Sequence, residues 1–352
     1  MPVRRLAGPL ALLFVLAGLS GCASTTGPPA FDGAKALEFV KAFALNPDGS
    51  VRYRIPSTVG QQTGASMLWR SSDLAGWTRT FQNFTGRDYM ALDRSVVRGY
   101  TEASPYNGCT KADHDAVANL TFANLLVTRP GPAGAPTLML AAHWDSQMHS
   151  DNDPDPSKRD LPDPGANDGA SGVGLLLQLM RHLDGMELPF TVTVFFVDGE
   201  DGFYDCYPDA GSLYDAQHPI GALPDAFILL DMVGDPGALY PKETHSRFGP
   251  PSGAVLQDLV WGHAQRLPGG AAHFRNSTRT IEDDHLAFLD VGVPSLDIVD
   301  AGGPATFPAQ WDTTFDTVDK LSASMLALVG DALLGTLADP AFSAWLAAPP
   351  SV

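Results

Sequence analysis

The sequence predicts an α/β domain with a mostly parallel central sheet, and three observations carry that expectation. Several short segments are nearly continuous apolar runs, as strands buried on both faces require: TLMLAAH (137–143), FTVTVFFV (190–197), AFILLD (226–231) and PSLDIVD (294–300). Longer segments with helical periodicity alternate with them, at 169–184, 252–266 and 320–337. The runs also end in His or acidic residues, which places polar chemistry at strand ends.

The elements follow in order. The first residues carry Arg4 and Arg5, an apolar run from Leu10 to Leu19, and then Leu19-Ser20-Gly21-Cys22. This reads as a signal peptide over 1–21 that ends in a lipobox-like motif, with Cys22 as the lipidated first residue of the mature chain. The competing reading is an ordinary signal peptide with a chance cysteine. The apolar run is too short for an ordinary membrane-spanning helix. Residues 22–30 form a tether, 31–340 one domain, and 341–352 a C-terminal tail.

Within the domain, FDGAKALEFVKAFA (31–44) and GASMLWRSSDLAGW (64–77) read as helices, and WTRTFQNF (77–84) and FANLLVT (122–128) as strands. The stretch 147–166 is polar, proline-rich and without period, so it is either a binding loop or a disordered one. Cys109 and Cys206 are able to form one disulfide outside the cytoplasm. The net charge of −18 leaves no basic patch for phosphates and excludes nucleic acid as a partner.

The candidate site lies at the strand ends. TLMLAA runs into His143 and Asp145, TVTVFFV into Asp198, Glu200 and Asp201, and AFILL into Asp231, while Asp168 sits where the helix of GANDGASGVG begins. Ligands of open α/β sheets bind outside the carboxyl ends of the strands. Each residue also has a plainer reading: Asp168 as a helix cap, Asp231 as a turn residue, His143 as a hydrogen-bonded core histidine. Together the carboxylates would repel and lose solvation unless a cation sits among them. A histidine among carboxylates suits zinc or a similar transition metal. No G-x-S-x-G elbow follows a strand, and GASGVG follows a loop, so serine-hydrolase and dinucleotide readings are weak.

The motifs AAHWDS, GANDGASGV, FFVDGED, ILLDMVGD, IEDDHLAFLDVGVP and FPAQWDTTFDT occur in the order found in zinc exopeptidases of the aminopeptidase type. Within that group they look most like glutaminyl-peptide cyclotransferases (glutaminyl cyclases), over about Phe31 to Leu337. The resemblance implies a three-layer α/β/α sandwich with a mixed, mostly parallel sheet. It implies Asp168 and Asp201 as metal ligands, Glu200 as general acid/base, and Asp231 and Asp283 as buried acids around that glutamate. His143 and Asp231 match the ligands of a second metal in two-zinc aminopeptidases, whereas the similar cyclases bind one zinc. Ile281, Phe307 and Trp311 match pocket residues, and His285 is either a pocket residue or a structural hydrogen-bonder. One position departs from the family: Asp312 stands where the last histidine ligand is found. An Asp168, Asp201, Asp312 set would be less selective for zinc and would admit calcium or magnesium.

The resemblance thus implies an enzyme acting on peptide or protein N-termini. It would be a cyclase first, with a zinc aminopeptidase or an inactive binding protein on the same fold as alternatives. A monomer in the cell envelope, outside the cytoplasm and anchored through Cys22, is the expected setting.

Overall fold

The computed structural model describes residues 30–93, 110–201 and 209–348. The expectations for Cys22, Cys109 and Cys206 lie outside the described residues.

Two helices come first, α1 (Gly33–Ala44) and α2 (Val59–Ser71), then β1 (Thr78–Thr85) and the short helices α3 (Gly86–Met90) and α4 (Lys111–Val117). The centre of the chain alternates: β2 (Thr121–Arg129), β3 (Thr137–His143), α5 (Ala170–Asp184), β4 (Thr191–Val197), α6 (Ala210–Gln217) and β5 (Ala226–Asp231). The last part holds β6 (Tyr240–Glu243), α7 (Thr244–Phe248), α8 (Ala254–Arg266), α9 (Gly270–His273), β7 (Phe274–Arg279), α10 (His285–Asp290), β8 (Ser295–Val299), α11 (Ala323–Leu337) and α12 (Pro340–Leu346).

The main sheet has the order β1-β2-β4-β3-β5-β8. Strands β4, β3, β5 and β8 are parallel, while β2 joins β4 antiparallel and β1 joins β2 antiparallel, so the sheet is mixed. Alternation along each strand feeds two apolar layers. Leu138, Leu140 and Ala142 of β3 join a core built with α1, α5, α8 and α11. Met139 and Ala141 face the other way, into a core with α6 and α10. This is the three-layer α/β/α arrangement, and burying each large aliphatic side chain in it stabilises the fold by about 1.5–3 kcal/mol.

Helix α5 crosses the middle of the first layer with nearly every residue buried. Gly174 explains how closely it approaches α1, since a Cβ there would lie 2.3 Å from Val40 Cγ2. A glycine that looks in sequence like part of a phosphate loop thus serves helix packing.

Some elements differ from expectation. Helix α2 starts at Val59, five residues before the predicted Gly64, because Thr58 caps it by accepting the Gln61 N–H at 3.3 Å. It stops at Ser71 rather than running to Trp77, and Gly76, at φ +81°, turns the chain into β1. The packed domain continues past residue 340, where the sequence predicts a tail. Asp339 caps α12 at Ala341 N, Phe342 stands edge-on to Phe190 at 5.5 Å, and Leu346 is buried.

The stretch 147–166 is an ordered loop. Asp153 accepts from Thr314 N at 3.1 Å and Thr314 Oγ1 at 2.6 Å, and Ser150 N donates to the Arg159 carbonyl at 3.0 Å. The Asp153 bonds pin the loop against residues 312–316, beside the carboxyl end of the sheet, and the Ser150 bond closes it on itself.

Candidate metal centre

Parallel strands share one carboxyl edge, so β3, β4, β5 and β8 deliver their last residues to the same place. Register does the fine placement. Ala141 pairs with Leu229, and two residues further along both strands, on the same face, stand His143 and Asp231. Their Nε2 and Oδ1 atoms are 3.2 Å apart. The same Nε2 lies 2.9 Å from Asp168 Oδ1. On the other side of the ring, Nδ1 lies 3.5 Å from Asp145 Oδ1, 3.7 Å from Glu200 Oε2 and 3.9 Å from Asp201 Oδ2.

The acidic run after β4 separates into two functions. Asp198 is fully buried and turns away, accepting from Gln61 Nε2 at 2.6 Å and Ala123 N at 2.7 Å. It ties the sheet to α2 and is not delivered to the site edge with the others. Gly199 takes φ +80°, a left-handed turn that strains any residue with a Cβ. Beyond that turn Glu200 and Asp201 line the cavity.

Asp168 does not cap α5, whose N-cap is Gly169 without a side-chain hydrogen bond. Its backbone is held instead. Asp316 accepts Asn167 N–H with both oxygens at 2.9 Å and Asp168 N–H at 3.0 Å. Behind this, the fully buried Arg54 donates all five of its N–H groups to carbonyls: Trp144, Asp145, Pro164, Gly165 and Arg52, at 2.6–3.3 Å. One planar cation therefore joins the end of β3 to the loop that enters Asp168.

A cavity of about 240 Å³ opens over these residues. Asp168, Glu200, Asp201, Asp231, Asp283 and Asp312 face it from one side, and Ile281, Phe307 and Trp311 give it an apolar wall. The Phe307 and Trp311 rings sit 4.2 Å apart, centroid to centroid. Two lining residues other than glycine, Met232 at φ +48° and Asp312 at φ +52°, hold left-handed backbone. Such strain concentrates at functional sites.

His143, Asp168, Glu200 and Asp201 bring donor atoms within 4.8 Å of one another, and Glu200, Asp209 and Asp283 form a second such group. Asp312 is in neither. It lines the cavity, but its Oδ2 accepts from Asn152 Nδ2 at 3.2 Å. His285 does not reach the cavity. It is fully buried at the start of α10, with Nε2 3.1 Å from Glu243 Oε2 and Nδ1 3.8 Å from Asp297 Oδ2. Of the two readings open for His285, the structural one holds and the pocket one does not, because the first residue of α10 points back towards β6 and β8.

Burial pushes the Glu200 carboxyl well above the usual range; Asp201 and Asp283 add to this and His143 opposes it. Burial, then Asp168, raise Asp201; burial raises Asp283, helped by Asp297 and Asp231, and raises Asp231, helped by Asp168. Burial works against charge on His143, but Glu200, Asp145, Asp168 and Asp231 outweigh it and lift its pKa. Asp201 Oδ2 and His143 Nδ1 are buried without hydrogen-bond partners. Two orphaned donor atoms facing each other across 3.9 Å, among carboxylates that resist ionising together, fit a bound metal cation.

The sequence did not single out Gln147, Met232, Glu282 or Val299, which complete the described lining, nor Arg54 and Asp316 behind it. The stacked supports come from residues far away in the chain and carry no local motif.

Comparison with known proteins follows the same lines. The model of Peptidase family M28 matches residues 124–337. The glutaminyl-peptide cyclotransferase of Gloydius blomhoffii is 29% identical over 246 residues, 60% of this chain. The match spans 64% of that relative's length. Among solved structures, Bacteroides thetaiotaomicron glutaminyl cyclase bound to N-acetylhistamine superposes with a TM-score of 0.71 at 26% identity, covering 88% of this chain and 99% of that one. A leucine aminopeptidase precursor from the same organism gives 0.70 at 27% identity, covering 88% and 98%. By matched length, fold and donor set, the chain belongs to peptidase family M28.

Proposed function

We propose that this protein is a zinc-dependent glutaminyl-peptide cyclotransferase, converting an N-terminal glutamine to pyroglutamate with release of ammonia. The observation that carries the reading is Glu200. Its side chain is about one-fifth exposed (21%), it faces the cavity, and burial raises its pKa, with Asp201 and Asp283 adding to this. A carboxyl whose pKa moves towards neutrality is suited to taking a proton and returning it.

Asp168 and Asp201, with His143 or Asp312, are the residues that would hold one zinc ion; a second ion would use His143 and Asp231. Zinc bound there supplies Lewis-acid polarisation of the substrate's side-chain amide carbonyl and offsets the carboxylate crowding. Glu200 accepts a proton from the α-amine as its nitrogen bonds to that carbonyl carbon. It then gives the proton to the departing amide nitrogen as the C–N bond breaks. Asp283, with a carboxylate oxygen within 4.8 Å of Glu200, keeps the proton on Glu200 available, and Asp231 in turn raises Asp283. Ile281, Phe307 and Trp311 hold the substrate against the acidic side and keep water out.

One observation favours aminopeptidase chemistry. His143, Asp168 and Asp231 stand together at 2.9 and 3.2 Å, as a second metal would need. In that case Glu200 activates water and the N-terminal residue is released. An inactive binding protein is the outcome if neither product forms.

The reading places the protein in the cell envelope as a monomer, held by a lipid on Cys22 and acting on peptide or protein N-termini. Ammonia release from a glutaminyl peptide, measured with stoichiometric zinc, tests the activity; zinc-loaded protein that releases none contradicts it. Incorporation of labelled fatty acid, abolished by Cys22→Ser, tests the anchor.

A further inference from the structure

The cavity is strongly one-signed. Among the described residues, seven of its thirteen lining residues are Asp or Glu and none is Lys or Arg. Five of the other six are buried and Glu200 is part-buried, so they form the deep acidic side. Glu282 is different. It lies between buried Ile281 and buried Asp283, yet is itself exposed while still lining the cavity. Successive residues here alternate between the interior and the rim. Among the described residues, no Lys or Arg forms an ion pair with Glu282. Its segment is also firmly placed, because Ile281 N donates to Glu243 Oε1 at 3.3 Å and His285 Nε2 bonds Glu243 Oε2 at 3.1 Å. One fully buried carboxylate thus grips both sides of the rim, so the backbone that carries Glu282 is held at the mouth.

A peptide that places its first residue beside Glu200 must send its second residue out through the mouth, past this rim. We propose that Glu282 is a specificity-determining residue that selects substrates with a basic side chain, Lys or Arg, at the second position. The inference rests on the reading that peptide N-termini enter this cavity. Charge at a rim acts over a Debye length and is screened by salt.

The test separates binding from turnover. Affinities of glutaminyl-lysyl-alanine amide and glutaminyl-glutamyl-alanine amide are measured by calorimetry at low ionic strength. The zinc-loaded proteins are Glu200→Gln, which removes the proton carrier, and Glu200→Gln/Glu282→Gln. The expected result is that the lysyl peptide binds more tightly than the glutamyl peptide, and that Glu282→Gln reduces the ratio roughly three- to fivefold. High salt should have the same effect in the protein that retains Glu282. Equal affinities, or a ratio untouched by Glu282→Gln, overturn the inference, as does failure of both peptides to bind. Separately, wild-type protein that binds the peptides with the expected ratio but turns over neither overturns the cyclase reading and leaves the rim assignment standing.

Discussion

Asn152 holds Asp312 by two bonds: its Nδ2 donates to the Asp312 carboxylate at 3.2 Å, and its backbone N–H donates to the Asp312 carbonyl at 3.0 Å. The pair joins the 147–166 loop to the position where the cyclase resemblance expects a histidine ligand, and it does so while Asp312 sits at φ +52°.

Asp312→His is the substitution that addresses this position. Histidine tolerates left-handed backbone better than most residues, so the change should fold. If position 312 supplies a ligand, zinc affinity measured by competition with a chromophoric chelator rises, by roughly tenfold or more, since imidazole suits zinc better than a third carboxylate. Unchanged affinity would place the ion on the His143 side instead.

Arg54 should matter to stability more than any exposed cation. Arg54→Met removes a donor from each of five buried carbonyls and should cost at least about 3 kcal/mol in urea unfolding. Arg54→Lys should recover little, because an ammonium cannot reproduce the planar five-donor fork. A loss within about 0.5 kcal/mol of wild type, the range of ordinary surface changes, would contradict the assigned role.

Asp215 predicts a pH effect away from the metal centre. It is buried in α6, and burial raises its pKa from 3.8 to about 7, with Gln82 opposing. The folded state therefore holds a proton that the unfolded state has lost, and stability from the neutral form is fully present below about pH 4 and falls as pH rises to about 7. Asp215→Asn removes this dependence. Relative to wild type, its unfolding free energy should gain between pH 4 and 8, by up to roughly 4 kcal/mol. A difference between the two proteins that stays constant with pH would contradict it.

The legible parts of the fold were those written in local pattern. Strands β3 and β5 coincide with the apolar runs TLMLAAH and AFILLD. His143 and Asp231 were visible because both stand at the ends of such runs. Strands β6 and β7 were not legible: YPKE is four residues long and contains proline, and FRNSTR is exposed after its first residue. Without them Glu243 had no place, and neither did its grip on His285, which decides between the two readings open for that residue. Asp198 looked like a site residue because chain adjacency does not reveal that the turn at Gly199 parts its side chain, held by Gln61 and Ala123, from those of Glu200 and Asp201. Arg54 and Asn152 meet their partners 90 and 160 residues away, and only the folded chain brings them together.

The central claim is that Glu200 carries a proton from the attacking amine to the departing ammonia. Mass spectrometry of a glutamine-initiated peptide, incubated with the zinc-loaded protein and in parallel with Glu200→Gln, tests it most directly. The predicted result is a product lighter by one ammonia and retaining every residue, formed by wild type and slowed by roughly a hundredfold or more in Glu200→Gln. Free glutamine and a shortened peptide, or cyclisation at the same rate in both proteins, would contradict the account.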